Sequence, residues 1–404
     1  MKILSVVGAR PNFMKIAPII STIKSYNAGS SLFSSTPDKG TIDHFLVHTG
    51  QHYDQIMSES FFQDLGISKP DASLGVGSGT HAAQTSEILR RFEPILLNER
   101  PDVVIVVGDV NSTLGCALVA AKISYDSSGK RPLIAHVEAG LRSFDRTMPE
   151  EVNRVVTDHI SDLLFVTEQS GIDNLKKEGI PEDKIFFVGN TMIDTLLATR
   201  ERAMQTSVFR RFGLVQPDGE CGAILPYGLV TLHRPANVDN KETFQEILKA
   251  LEIISKRIRI IFPVHPRTGK QIAAFQLSNS LPLDCNGQEN GNQRENGSRI
   301  CITDPLGYLD FICPMSNAKI VLTDSGGIQE ETTCLNVPCV TIRQNTERPV
   351  TITKGTNILS GLETSAIVEA AEYQLGRKME NQMPEFWDGN AAVRILDAIL
   401  KQFV

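Results

Sequence analysis

The chain has 404 residues, of which 41% are hydrophobic and 22% charged, so it is globular and unlike disordered, collagen-like or coiled-coil chains. The 40 Lys and Arg residues against 47 Asp and Glu residues give a net charge of −7, and we therefore expect no nucleic-acid partner. No apolar run approaches the roughly 18 residues that a membrane span needs, so we expect no membrane contact, no signal peptide and a cytoplasmic location.

Short runs rich in Val and Ile alternate with helical patterns through the first half of the chain. Continuous apolar runs bounded by helices are typical of parallel strands that are covered on both faces and joined by right-handed crossovers. The predicted strands are 2–7, 43–49, 102–107, 132–137, 163–166 and 184–188. They indicate a doubly wound α/β domain.

A second series of the same kind begins near Tyr227, with predicted strands at 227–232, 257–264, 299–303, 319–323 and 338–342. A charged helical stretch and a polar segment place the domain boundary near 195–220. We therefore predict two Rossmann-like doubly wound domains, 1–200 and 201–380, facing a central cleft. A terminal helix within 381–404 is expected to pack back across the domains, and the polar segments 27–40 and 284–298 are expected to be surface insertions.

Open α/β sheets bind ligands at the carboxyl ends of their strands, so the residues that follow the strands are the first candidates. Gly8 begins a turn into a helix whose N-terminus, together with Arg10 and Lys15, is typical of a phosphate site. An ordinary turn with solvated cations is the alternative. Asp109 follows a later strand, where it is either an N-cap or an active-site acid.

The strand at 132–137 leads into a group of charged residues. His136 and Glu138 are two apart, and strand alternation predicts that they share a face, while a structural ion pair including Arg142 is the alternative. Thr147 and Glu150 have the spacing of a capping box, which on spacing alone is the favoured interpretation. One sheet edge nevertheless has three carboxylates for general acid/base work: Asp109, Glu138 and Glu150.

Two histidines beside arginines follow strands of the second half. His233 precedes Arg234, and His265 lies two residues before Arg267. A single histidine is usually structural, but two at equivalent places beside cations are better explained by an anionic ligand.

The sharpest nucleotide signal is the turn Ser325-Gly326-Gly327, which lies between a predicted strand and a helix. Bare amides and the helix dipole favour a diphosphate there. Glu331 lies about one and a half turns into that helix, where a carboxylate can accept hydrogen bonds from ribose hydroxyls.

Several other motifs are absent from the sequence. There is no Walker A loop and no Asp-x-Asp pair, and the glycines at 75–79 lack the dinucleotide spacing, so we predict no metal and no nicotinamide cofactor. The seven cysteines include no CxxC pair and are expected to be reduced thiols.

Taken together, the motifs between about residues 2 and 350 closely resemble the non-hydrolysing UDP-N-acetylglucosamine 2-epimerases. The resemblance rests on Gly8-Ala9-Arg10-Pro11, Thr49-Gly50-Gln51-His52-Tyr53-Asp54, Gly108-Asp109, His136-Val137-Glu138-Ala139-Gly140-Leu141-Arg142, Pro149-Glu150-Glu151-x-Asn153-Arg154, Val188-Gly189-Asn190-Thr191, Thr231-x-His233-Arg234, Val264-His265-Pro266 and Asp324-Ser325-Gly326-Gly327-Ile328-Gln329-Glu330-Glu331. It implies a two-domain glycosyltransferase-B fold, a homodimer, and reversible conversion of UDP-GlcNAc into UDP-ManNAc through enzyme-bound 2-acetamidoglucal.

The same resemblance implies the roles of individual residues. The expected catalytic set is Asp109, Glu138, Glu150 and His233. The expected substrate-binding set is Arg10, Lys15, Gln51, His52, His136, Arg142, Arg234, His265, Ser325, Gly326, Gly327 and Glu331. Which carboxylate removes the C2 proton and which returns one stays open, because the acids form a coupled set.

Two departures from the family pattern keep alternatives open. The loop that begins at Gln51 and the segment 77–81 differ from those of members activated by UDP-GlcNAc at a second site, which leaves allosteric activation undecided. Glu138 and Glu150 are closer together than in familiar bacterial members, so a modified UDP-sugar such as a diacetamido uronate is an alternative substrate. A hydrolysing epimerase, a glycosyltransferase of the same fold and a non-enzymatic sugar-nucleotide binding module are the rival functions.

Overall fold

The computed structural model describes residues 1–30, 40–50, 62, 64–215, 224–277, 299–379 and 382–403. The chain divides into two compact units, one formed by 1–198 with 384–404 and the other by 199–383. Residues 31–39 of the first predicted insertion, and all of the second at 284–298, lie outside the described residues. None of the helices in the described part combines the length and apolar character that crossing a bilayer requires.

The first unit contains a parallel sheet whose described strands have the order β3-β2-β1-β4-β5-β6-β7. These strands are β1 Lys2–Val7, β2 Asp43–His48, β3 Ala72–Ser73, β4 Val103–Val107, β5 Leu133–Ala139, β6 Leu163–Val166 and β7 Ile185–Phe187. The strand order reverses direction from β1 to β4, which marks the point where ligands bind in doubly wound sheets.

Helices alternate with these strands, as crossovers between parallel strands require. They are α1 Arg10–Asn27, α2 His81–Glu99, α3 Asn111–Lys122, α4 Pro149–Ile160, α5 Gln169–Lys177 and α6 Thr191–Ala203. In α2 the buried residues Ile88, Phe92 and Leu96 recur every four positions and join the core cluster that contains Val104 of β4. All five residues of β4 are buried, as expected of a central strand covered on both faces.

The second unit repeats this plan with strand order β10-β9-β8-β11-β12-β13, again parallel throughout. The strands are β8 Tyr227–Thr231, β9 Arg259–Pro263, β10 Ile300–Thr303, β11 Ile320–Thr323, β12 Cys339–Thr341 and β13 Asn357–Leu359. The helices are α7 Val208–Arg211, α8 Pro235–Val238, α9 Lys241–Ser255, α10 Pro266–Ala274, α11 Tyr308–Asn317, α12 Gly326–Leu335, α13 Val350–Thr353 and α14 Thr364–Gly376.

The predicted α/β class is confirmed, and every predicted strand overlaps an observed one. Two observed strands were not predicted: β3, which has two residues, and β13, which has three. The expectation that every cysteine is a reduced thiol is wrong at Cys301, which is disulfide-bonded. Cys116, Cys313, Cys334 and Cys339 are free and buried, and burial raises the pKa of the Cys334 thiol to about 11.

The chain returns to the first unit at its end, where α15 (Ala391–Leu400) packs beside α1. Asp194 of α6 accepts hydrogen bonds from the amides of Ala391 and Ala392, at 3.2 and 2.8 Å, at the start of α15. The buried Trp387 donates from Nε1 to the carbonyl oxygen of Thr167 at 3.0 Å. The terminal segment is thus anchored by a helix-start carboxylate and by one buried indole.

We predict that Gly189→Ala weakens this anchoring far more than Gly179→Ala. Both glycines have positive φ, +87° and +82°, so both substitutions cost about 1 kcal/mol in backbone strain. A Cβ at Gly189 would collide with the Phe386 carbonyl, whereas nothing lies within 4 Å at Gly179. The total loss of unfolding free energy for Gly189→Ala is therefore expected to be about 3 kcal/mol.

Urea unfolding followed by the fluorescence of Trp387, the single tryptophan of the chain, measures this difference directly. Equal losses for the two variants would show that residues 384–403 are not held against Gly189.

Candidate active site

Glu138 occupies a bulge at the end of β5. Val137 pairs with Phe165 and Ala139 with Val166, so Glu138 is an extra residue relative to β6, and its φ is +73°. Positive φ in a glutamate is uncommon and is concentrated at functional sites. The strand alternation that predicted a shared face for His136 and Glu138 is interrupted at this residue.

The carboxylate of Glu138 forms a buried ion pair with Lys15. Lys15 Nζ lies 2.6 Å from Glu138 Oε2, and the two side chains are only 7% and 3% exposed. Lys15 comes from α1 and Glu138 from β5, so the pair fixes the bulge against the helix that follows β1. Breaking such a pair by removing one partner would leave a buried charge without compensation.

Asp109 follows β4, the strand that pairs with β5. Its carboxylate accepts hydrogen bonds from Arg154 Nε and Nη2 at 3.0 and 2.6 Å, and Asn153 donates to its carbonyl oxygen at 2.8 Å. The residue that caps α3 is Val110. The alternative of an N-cap therefore does not account for Asp109, whose carboxylate is instead held at the sheet edge by an arginine.

The predicted capping box at Thr147 and Glu150 is wrong. The N-cap of α4 is Met148, which has no side-chain oxygen, and Thr147 donates instead to Asp145 at 2.6 Å. Glu150 lies in the first turn of α4 and is partly exposed. Its neighbour Glu151 has the structural role, which the sequence analysis missed.

Glu151 is buried and organises the loop before α4. Its oxygens accept from the amides of Ser143 and Phe144 at 3.0 and 2.9 Å and from the Ser143 hydroxyl at 3.0 Å. Arg154 Nη1 lies 2.7 Å from the same carboxylate. Arg154 therefore links Glu151 to Asp109. The motif at 149–154, which predicted Glu150 as an active-site acid, thus also contains the arginine that holds Asp109, a second candidate acid.

His136 and Arg142, predicted to bind substrate, lie in a buried network around Asp158. His136 Nδ1 faces Asp158 at 2.6 Å and its Nε2 faces the Gly108 carbonyl oxygen at 2.8 Å, so both ring nitrogens have protein partners. Arg142 pairs with Asp158 at 2.7 Å and with Glu178 at 2.8 Å. Arg142 is thus in structural ion pairs, but with acids outside the 136–142 segment in which the sequence analysis looked for them. The network also holds the Gly108 turn just before Asp109.

The same network sets the charge of its central acid. Burial alone would raise the pKa of Asp158, but the charges and hydrogen bonds of His136 and Arg142 outweigh burial and lower that pKa below its ordinary value.

The turn after β1 differs from a simple phosphate cradle. Asn12 Oδ1 accepts from the amides of Gly8 and Ala9 at 3.2 and 2.9 Å, so two of the turn's donors are satisfied within the protein. The side chain of Arg10 and the residues Gln51 and His52 lie outside the described part of the structure, and their predicted roles stay predictions.

In the second unit, Asp324 positions His233. The buried Asp324 carboxylate accepts from the amides of His233 and Arg234, both at 2.9 Å, and from His233 Nδ1 at 2.9 Å. Burial by itself would raise the pKa of Asp324, but these donors hold it below the ordinary value. Because Nδ1 carries the proton donated to Asp324, Nε2 is the nitrogen of His233 left to meet a ligand.

His265 lies beside His233, with ring centroids 5.6 Å apart. Its Nδ1 accepts from the Arg267 amide at 3.2 Å as the N-cap of α10, which places the proton of the neutral ring on Nε2. The structure thus brings together the two histidines that the sequence analysis linked to an anion.

The Ser325-Gly326-Gly327 turn begins α12 as predicted. The Ser325 amide donates to Thr323 Oγ1 at 3.0 Å, and the Gly326 and Gly327 amides lie in the first helical turn, where helix geometry supplies no acceptor. Glu331 is buried and accepts from the Tyr308 hydroxyl at 3.2 Å. This turn therefore retains amide donors for an anion, with a fixed carboxylate further along the helix.

Sequence reasoning missed the residues packed against this turn. A Cβ on Gly326 would lie 2.9 Å from Arg348 Cζ and 3.0 Å from Glu347 Oε1, so both side chains lie against the glycine. The signal was present, because 343–348 follows β12 at the same carboxyl edge of the sheet.

We predict stability effects of very different size for the adjacent glutamates of α4. Glu151→Gln is expected to lower the free energy of unfolding by about 3 kcal/mol, since it removes a buried charge that neutralises Arg154 and accepts backbone amides. Glu150→Gln is expected to change it by less than about 0.5 kcal/mol. Urea unfolding of the two variants measures both values, and a larger loss for Glu150→Gln would contradict this assignment.

Comparison with known proteins agrees with the motif analysis. The family described as UDP-N-acetylglucosamine 2-epimerase matches residues 36–400. The chain is 42% identical over 401 residues to UDP-N-acetylglucosamine 2-epimerase of Methanocaldococcus jannaschii, with 98% of each chain covered. It is 37% identical over 404 residues to UDP-2,3-diacetamido-2,3-dideoxy-D-glucuronate 2-epimerase of Pseudomonas aeruginosa, with 99% of this chain and 100% of the relative covered.

Solved structures give the same grouping. The M. jannaschii UDP-GlcNAc 2-epimerase in complex with UDP-GlcNAc and UDP has a TM-score of 0.79 at 41% identity, covering 98% of this chain and 99% of that one. A lipopolysaccharide outer core galactosyltransferase, 13% identical and fully covered on both sides, has a TM-score of 0.53 and shares the fold alone.

Proposed function

Because the chain belongs to the UDP-N-acetylglucosamine 2-epimerase family, we propose that it interconverts UDP-GlcNAc and UDP-ManNAc at C2 of the sugar. The observation that carries the proposal is the pair of carboxylates at neighbouring strand ends. Asp109 after β4 is held by Arg154, and Glu138 after the bulge of β5 is held by Lys15. Two fixed acids at one sheet edge are what a reaction with two proton transfers requires.

The chemistry explains why acids alone are insufficient. The C2 proton of the sugar has no adjacent carbonyl to acidify it, so direct removal and return of the proton would be too slow. Elimination avoids this barrier: a carboxylate takes the C2 proton, the C1–O bond breaks with departure of UDP, and a C1–C2 double bond forms in 2-acetamidoglucal. A diphosphate oxygen of UDP then adds back to C1 while a proton reaches C2 on the opposite face.

The second unit supplies the groups that the departing UDP needs. In this proposal the Gly326 and Gly327 amides at the start of α12 donate to the diphosphate, and Glu331 accepts from the ribose hydroxyls. His233, oriented by Asp324, presents Nε2 to the developing charge. In the proposal, Glu150 is the third acid of the first unit, beside Asp109 and Glu138.

We propose UDP-GlcNAc as the substrate, with the diacetamido uronate as the second candidate. The first choice rests on the M. jannaschii relative, and the second on the 37% identity to the P. aeruginosa relative across the whole chain. Parallel assays with the two UDP-sugars separate them, and a kcat/KM higher for the uronate would replace the first choice.

Incubation with UDP-GlcNAc in deuterated water tests the reaction itself. We expect deuterium at C2 of the UDP-ManNAc formed, because the returned proton comes from an acid that exchanges with solvent. Mass spectrometry and proton NMR of the products measure the incorporation.

Each rival function predicts a different product from the same incubation. Free ManNAc as the sole product would indicate a hydrolysing epimerase, and sugar transfer to an added acceptor would indicate a glycosyltransferase. Bound but unchanged UDP-GlcNAc without deuterium would indicate a binding module. Any of these results would overturn the proposal.

We further propose a cytoplasmic homodimer, on the basis of the family resemblance. Sedimentation equilibrium should then give twice the monomer mass of 44.4 kDa at micromolar concentration. A species at the monomer mass would contradict the dimer and leave the proposed reaction untouched.

A further inference from the structure

Five charged side chains form a cluster beside the start of α12. We call them the arginine cluster: Arg234, Arg343, Arg348, Glu330 and Glu347. The two glutamates are 0% and 2% exposed as side chains, and two of the arginines are 6% exposed. Three positive and two negative groups leave one net positive charge in a region with little water.

Glu347 connects the three arginines of this cluster. Its Oε1 lies 2.5 Å from Arg348 Nη1 and 3.4 Å from Arg234 Nη2, while its Oε2 lies 2.8 Å from Arg343 Nη2. Glu330 contacts Arg348 Nε at 2.9 Å. One carboxylate therefore sets the relative positions of three guanidinium groups.

The loop that carries Glu347 is itself attached to α12. Thr346 Oγ1 donates to Gln329 Oε1 at 2.7 Å, and the Arg348 amide donates to Thr346 Oγ1 at 3.1 Å. Gln329 Nε2 in turn donates to the Ser325 carbonyl oxygen at 3.3 Å. Hydrogen bonds therefore link the loop of the cluster to the Ser325-Gly326-Gly327 turn.

The position of Glu347 is unfavourable if only charge matters. Its Oε1 would lie 3.0 Å from a Cβ on Gly326, so a negative charge is buried next to the amides expected to hold a diphosphate. At such distances and in a buried environment, a carboxylate repels an anion strongly. Electrostatic attraction to the ligand therefore cannot explain why Glu347 is buried at this place.

We propose that Glu347 is a positioning residue that holds the guanidinium groups of Arg348 and Arg234 at the Ser325-Gly326-Gly327 turn for the diphosphate of UDP. Arginine side chains are long and lose conformational freedom on binding, and a fixed carboxylate removes that cost before the ligand arrives. The inference rests on the proposed function, because it assumes that the diphosphate binds at this turn.

The variant Glu347→Gln separates positioning from electrostatics by the sign of its effect on UDP affinity. Positioning predicts that UDP binds roughly tenfold or more weakly, from the loss of charged hydrogen bonds that order the arginines. Electrostatics alone predicts tighter binding, since a negative charge is removed beside an anion. Isothermal titration calorimetry with UDP measures the dissociation constant, and KM for UDP-GlcNAc should rise with it while kcat changes less.

The matched control is Glu369→Gln, which makes the same chemical change at an exposed position of α14. It should leave the UDP dissociation constant unchanged. Wild-type protein that fails to bind UDP would refute the proposed function rather than this inference. Glu347→Gln that stays folded, by thermal unfolding and circular dichroism, and binds UDP as tightly as wild type or more tightly would overturn the inference.

Two further variants keep the test decisive if Glu347→Gln does not fold. Glu347→Asp keeps the charge but withdraws it by one methylene. Positioning again predicts weaker UDP binding, whereas electrostatics predicts no weakening. In the background Arg348→Met, the second substitution Glu347→Asp should weaken UDP binding less than it does in the wild type, because part of its effect passes through Arg348. Fully additive losses, or unchanged affinity in Glu347→Asp, would overturn the inference.

Discussion

The buried ion pair between Lys15 and Glu138 is the interaction on which the first unit's site depends. In a strand that alternated regularly, Glu138 would share a face with His136. Here β5 has an extra residue with positive φ at Glu138, and the Glu138 carboxylate contacts a lysine from α1. The bulge at Glu138 and its ion pair with Lys15 act together on the same side chain. The ion pair offsets the cost of burying the Glu138 carboxylate, and the bulge orients that carboxylate.

The same logic recurs at the other charged groups of both units. Asp109 is held by Arg154, which Glu151 holds in turn, and His233 is held by Asp324. In each case the group that we assign to chemistry contacts a buried partner of opposite or complementary charge. Such fixed dipoles and charges need no reorganisation during reaction, which is the main physical advantage of an active site over water.

Sequence patterns predicted the strands well because a parallel sheet covered on both faces requires continuous apolar runs. They also indicated which strand ends are candidates for chemistry, since those ends share one edge of each sheet. Contacts between side chains that are distant in sequence could not be predicted in this way. Nothing local at Asp158 indicates that it faces His136 and Arg142, and nothing local at Glu151 indicates that it caps the Ser143 loop.

The predicted capping box at Thr147 and Glu150 was wrong for a different reason. The spacing was correct for a cap, yet Thr147 turns to Asp145 and α4 begins without a side-chain cap. Spacing identifies which groups are near each other along the chain, but competition among nearby acceptors decides which bond forms. The segment 343–348 follows β12 at the carboxyl edge of the sheet, but its contacts with α12 could not be predicted from the local sequence.

A crystal structure of the protein with UDP and 2-acetamidoglucal bound would test the central claim most directly. The account predicts the diphosphate on the Gly326 and Gly327 amides and the carboxylate of Asp109 or Glu138 within about 3.5 Å of C2 of the glucal. A diphosphate bound away from that turn, or a C2 atom beyond the reach of every carboxylate of the first unit, would contradict it.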